Sequence, residues 1–199
     1  MSLYPTTKLE AVNICLSNIG EAPVSSITSG LLVDAQIASD VVDESSRAVQ
    51  SVGWNFNTEV FLLTPDNDGF INIPSSALRV DTVKENIGEN LVVRGSRLYN
   101  KEDNTFLFTS AKRLEIVLFL EFEDLPEVAR RFITLHAMRV FQERQLGVDA
   151  LSAQNRDDER RAWAALLDDE AQSSDYNMLT GSSGVYNVVS RSVFRGGSY

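Results

Sequence analysis

The sequence predicts an α+β protein: a discontinuous four-helix bundle with an inserted antiparallel β domain and an extended C-terminal arm. Three observations carry this. Apolar residues follow a helical period up to Phe56, alternate with a period of two from Asn57, and return to the helical period at Asp124. After Ser173 a stretch rich in Ser and Gly has no helical period at all. The expected division is 1–56 plus 124–175 for the helical domain, 57–123 for the inserted β domain and 176–199 for the arm.

The first helix is announced by Thr7-Lys8-Leu9-Glu10, a capping-box spacing in which Thr and Glu side chains each satisfy a free backbone N–H. Leu9, Val12, Leu16 and Ile19 continue it, and Gly20 stops it. A second helix is expected from about Asp34 to Val52, with Ile37, Val41, Ala48 and Val52 along one stripe and Gly53 at its end. From Asn57 the elements shorten. Val60-Phe61-Leu62-Leu63 is an apolar run closed by Pro65, and Asp66-Asn67-Asp68-Gly69 is a turn cluster. Leu78 to Val83 alternates. Leu91-Val92-Val93 and Leu98-Tyr99 flank Arg94-Gly95-Ser96 as a tight hairpin. Thr105 to Phe108 is a further expected strand, and Leu114 to Phe122 the strongest one, making five or six in all. Asp124-Leu125-Pro126-Glu127 opens the third helix, with Asp124 as the expected N-cap and Gly147 as its end. The last helix is expected from about Leu151 to Ala171, anchored by Trp163, Leu166 and Leu167. None of these helices is stable alone, so those before and after the insert must pair.

In 199 residues there are 28 acids against 18 bases, a formal charge of -10. The three spans 1–56, 57–123 and 124–175 are each net acidic, whereas 176–199 holds Arg191 and Arg195 and no acid. Negative charge argues against gripping nucleic acid through its phosphates. One cysteine, Cys15, excludes an intrachain disulfide and a zinc site of paired cysteines. No Gly-rich phosphate loop is present, and no cofactor or metal is expected. The apolar run Ile116 to Leu120 is too short to cross a bilayer, and the first residues lack a secretory pattern, so synthesis in the cytoplasm is expected. His136 lies in the most apolar helix and reads as a packed histidine; Cys15 reads as a small core residue. Trp54 and Phe56 read as filling the junction between helices and β region, with a partner-binding cluster as the alternative.

One enzymatic alternative is an envelope- or capsule-glycan hydrolase, which needs two carboxylates across a cleft. Glu121 and Glu123 are the candidate pair, spaced to share one face of a strand, yet one strand does not straddle a substrate. The arm offers a different activity. Met178, Leu179, Val185, Tyr186, Val188, Val189, Val193 and Phe194 are more apolar residues than a disordered tail carries. They suit strand pairing with a partner, or packing on the arm's own domain.

Several runs resemble one family in order along nearly the whole chain. They are Ala11-Val12-Asn13, Ile19-Gly20-Glu21-Ala22-Pro23-Val24-Ser25, Asp34-Ala35, Gly53-Trp54-Asn55-Phe56-Asn57, Leu125-Pro126-Glu127 and Tyr176-Asn177-Met178-Leu179. The set is similar to the tail tubular protein A (tail adaptor) family of short-tailed podovirus bacteriophages. The resemblance implies a structural virion protein, a dodecameric ring below the portal protein. That ring receives the nozzle protein (tail tubular protein B), supports tail fibres and lets DNA pass without specific binding. It also implies an extended arm; within it Tyr176, Asn177, Met178, Leu179, Arg191 and Arg195 are the expected partner-binding residues.

Overall fold

The computed structural model describes residues 5–27, 32–83, 89–147 and 151–181. Four helices and five strands follow in the order α1 (Lys8–Asn18), α2 (Val33–Gln50), β1 (Thr58–Leu63), β2 (Ala77–Thr82), β3 (Leu91–Arg94), β4 (Arg97–Asn100), β5 (Lys112–Leu118), α3 (Glu127–Leu146) and α4 (Leu151–Gly181). The class is α+β, as the change of period predicts.

Each boundary has a local cause. At α1 the capping box forms: the Glu10 N–H donates to Thr7 Oγ1 at 3.2 Å and the Thr7 N–H to the Glu10 carboxylate at 2.9 Å. α3 starts later than expected. Leu125, held extended at ψ 151° by the proline that follows it, cannot be helical. Pro126 therefore takes the N-cap position, and Asp124 lies in a single 3-10 turn, Phe122–Asp124, instead of capping the helix. Gly147, at φ +80°, ends α3.

The helices share one apolar cluster, built on Val12, Leu16, Val42, Trp54, Ile133 and Phe141. α1, α2 and α3 pack against one another in all three pairs, and α4 lies against α3. A second cluster belongs to the strands: Ile71, Ile73, Leu98, Phe108, Leu114 and Ile116. β5 is the centre of an antiparallel sheet with order β1–β5–β2, and β3 and β4 form a separate hairpin around Gly95. The expected strand Thr105 to Phe108 is reduced to isolated bridges, Asn100 to Thr105 and Phe70 to Leu107. Asn104 just before it sits at φ +52°, which turns the chain out of extended geometry.

The largest departure is at the exit of β5, which ends at Leu118 and not at Phe122. Two buried amides take over the backbone there. The Gln50 side chain accepts from the Leu120 N–H at 2.8 Å and donates to the Leu120 carbonyl at 3.0 Å. The Asn57 side chain donates to the Leu118 carbonyl at 2.8 Å and the Gln50 carbonyl at 3.0 Å, and accepts from the Trp54 N–H at 2.8 Å. Groups bonded in this way are no longer free for a strand ladder. The clasp ties the end of α2 to both strands of the sheet nearest it. Gly53 sits beside it at φ +84°, where a Cβ would come within 2.9 Å of Val117 Cγ2 and Arg79 Nη2.

Candidate partner-binding surfaces

The α3–α4 seam is the most elaborately polar part of the molecule. Arg139 on α3 donates to both oxygens of Glu159 on α4, and its other terminal nitrogen donates to Glu143 at 2.9 Å. His136 Nδ1 meets Glu159 at 2.5 Å, and Arg156 donates to Glu143 at 3.2 Å. Partial burial pushes the Glu159 carboxyl up, but hydrogen bonds from Arg139 and His136 outweigh it and hold the group below its usual value. Glu143 behaves likewise: desolvation raises it, and Arg156 and Arg139 lower it further. His136 is thus packed beside Phe132, as expected, and is also one member of an ionic cluster.

Above this seam lies an open groove of about 820 Å³, lined by Phe132, Arg139, Arg156, Asp157, Arg160 and Trp163. Trp163 stands edge-on to Trp54 at 5.5 Å between ring centres and against Phe132 at 4.9 Å. It packs on the core yet leaves 36% of its surface exposed. Trp54 itself is buried, its indole N–H donating to the Val49 carbonyl at 2.7 Å, and Phe56 stacks beside it at 6.3 Å. Both rings lie on the segment between α2 and β1, as expected, but pack into the helical cluster and not against the strand core.

A second surface is the outer face of β1. Val60 and Leu62 project from β1 on the side away from the strand core and are 50% and 68% exposed.

Glu121 and Glu123 do not share a strand face. Both follow the end of β5; Glu121 precedes the 3-10 turn and Glu123 lies within it. The Glu123 carboxylate accepts from the Lys8 N–H at 3.2 Å, and Glu127 likewise accepts from the N–H of Thr6 at 2.8 Å. These acids serve the start of α1, where free N–H groups attract carboxylates. The Cys15 thiol is buried and pushed up to about 12, which suits a core position. Among the described residues no group of three or more His, Cys, Asp or Glu is placed to hold a metal, and no helix is long and apolar enough to cross a membrane.

Of the expected partner-binding residues, Tyr176, Asn177, Met178 and Leu179 fall within α4, which continues to Gly181. The start of the expected extended arm is therefore helical: 176–181 contains no proline, and the helix runs on until glycine. Arg191 and Arg195 lie outside the described residues. Sequence reasoning missed the Arg139–Glu159 seam, whose partners are 20 residues apart. It also missed the exposed face of β1, although four consecutive apolar residues from Val60 carried the signal.

Two comparisons bear on this arrangement. The family model described as Tail tubular protein matches residues 9–176, a span that takes in both apolar clusters. The chain is also 30% identical over 160 residues to tail tubular protein A of Klebsiella phage KP34, covering 80% of this chain and 84% of that protein.

Proposed function

The chain belongs to the tail tubular protein family and is a structural component of a bacteriophage tail, and from that premise we propose that it is the ring-forming adaptor between the portal protein and the tail nozzle. The family match across helices and strands alike is the observation that carries this reading. A closed ring, here a dodecamer, uses two different faces of each subunit. The molecule offers two unlike surfaces of the needed kind, the Trp163 groove and the outer face of β1. Aromatic residues and arginine are the residue types that carry binding energy at such contacts.

In this role Tyr176, Asn177, Met178 and Leu179 at the end of α4, with Arg191 and Arg195 beyond it, attach the subunit to neighbouring tail proteins. All 28 acids lie at or before Asp175, so a basic segment has an acidic body to meet on any adjacent copy. Acidity also suits a ring that conducts DNA. A negative wall repels phosphates, whereas a basic one would bind them with salt-dependent affinity and stall passage. The nozzle protein and tail fibres then attach below and around the ring, and the subunits are made in the host cytoplasm before assembly.

The test is reconstitution with purified portal. Full-length chain mixed with portal rings should co-sediment and show a second ring stacked on the portal by electron microscopy. Chains truncated after Ser174 should keep their helical circular-dichroism spectrum and lose portal binding. Wild-type co-sedimentation by the truncated chain would move the attachment to the helical or strand surfaces. Failure of the full chain to form any ring on the portal would sink the adaptor reading.

A further inference from the structure

Among the described residues β1 is an edge strand with an open side. In the order β1–β5–β2 it pairs with β5 alone, and no described strand meets its other edge. Its run Val60-Phe61-Leu62-Leu63 is apolar at successive positions, the composition of a strand covered on both faces. The register places Phe61 opposite Leu114 on the inner face, where Phe61 and Leu63 pack on the strand core. Val60 lies opposite Glu115 and Leu62 opposite Arg113 on the outer face, which is open to solvent. Edges of this kind are ordinarily blunted by lysine, proline or a bulge. β1 contains no lysine and no proline, its pairing with β5 runs without a register shift, and Glu59 is its single charged residue.

The chain carries a segment that matches. Val188-Val189-Ser190-Arg191-Ser192-Val193-Phe194 is rich in β-branched residues and holds no acid. Extended, it would present Val189, Arg191 and Val193 on one face. Across the outer face of the sheet, the row that begins at Val60 passes to Glu115 and then to Asp81. A strand added to β1 lies about 4.8 Å from it and about 9.6 Å from β5. Arg191 beside Val60 would thus bring its guanidinium to Glu115, with the two valines on Leu62 and Thr58.

The reach from α4 allows delivery to another subunit. Glu170 fastens α4 to the Asn55 N–H at 3.1 Å, and Ala171 and Gln172 after it are exposed. The helix then runs eleven residues beyond Glu170, about 16 Å, and six more residues of sequence precede the segment. We propose that the open edge of β1 is an acceptor for residues 188–194 of a second copy, which add a fourth strand to the sheet across a subunit boundary. This rests on the reading that copies assemble side by side.

The experiment uses full-length chains assembled on purified portal rings. One chain carries Leu62→Cys and the other Val189→Cys or Val193→Cys, mixed in equal amounts and mildly oxidised. Cys15, buried and with its thiol pushed up to about 12, stays silent. A disulfide-linked dimer from either pairing, at least roughly tenfold above the Leu62→Cys with Val188→Cys control, is the expected result, since in an extended strand Val188 would face the other way. Rings that form without such a dimer overturn the proposal, as does a disulfide confined to one chain when Leu62→Cys and Val189→Cys are combined in it. Absence of rings counts against the adaptor reading itself. As a second measurement, Val60→Lys with Leu62→Lys alters only exposed positions. It should leave the circular-dichroism spectrum unchanged and weaken ring assembly at least roughly tenfold. Wild-type assembly by that variant overturns the proposal as well.

Discussion

Gln50 shows how one side chain sets the limit of a strand. It is fully buried and spends its amide on Ser46 and on both backbone groups of Leu120. Gln50→Leu keeps the volume but leaves the partly buried N–H and C=O of Leu120 without these partners, at about 1 kcal/mol for each hydrogen bond lost. The expected result is a lowered midpoint in urea with an unchanged slope. Gly53→Ala fails for a different reason. A positive φ is strained for alanine, and the new methyl would press on Val117 at 2.9 Å. About 1–3 kcal/mol of destabilisation is expected, and thermal denaturation measures it. Neither residue stands out in the sequence. Glycine after a helix reads as an ordinary stop, and a glutamine at the end of α2 reads as solvent-facing until Leu120, 70 residues away, is brought to it.

At the scale of the element, α4 is held to α3 by carboxylates with arginine partners. Glu159 and Glu143 both have depressed folded-state values. Their contribution is therefore present above the unfolded carboxyl value of about 4.3 and is lost as pH falls through the folded values. Stability against urea should fall below about pH 4.5. Glu159→Gln should flatten that acid limb and cost roughly 1–2 kcal/mol at neutral pH, with α4 becoming the first site of limited proteolysis. Elements with local signals were legible: the Thr7 box, the Gly95 hairpin, the glycine ends of α1 and α3. Elements whose limits depend on distant partners were not. β5 ends where Gln50 and Asn57 capture its backbone, α3 is delayed by the proline effect on Leu125, and α4 outruns its apolar stripe. The expected partner residues Tyr176 to Leu179 lie on that added length of helix. The exposed face of β1 was written in the run Val60 to Leu63, whose two-sided apolarity means something only once the sheet order shows one side open.

For the whole molecule, two apolar clusters imply that the helices hold a core of their own. Replacing 57–123 by a short linker should retain a helical circular-dichroism spectrum; complete loss of helicity would show that the helices depend on the strands. The clasp of Gln50 and Asn57 then has a mechanical meaning. It joins the last turn of α2 to the chain at both β1 and β5, through short amide bonds that bridge three backbone segments at once. In the proposed adaptor role the subunit would sit in a path of force. Load applied to the sheet reaches the helices beside this clasp, whose bonds share it. Pulled between Leu62 and Leu146 in an optical trap, the protein should part at one high force, and Asn57→Ala should split that event into two lower ones.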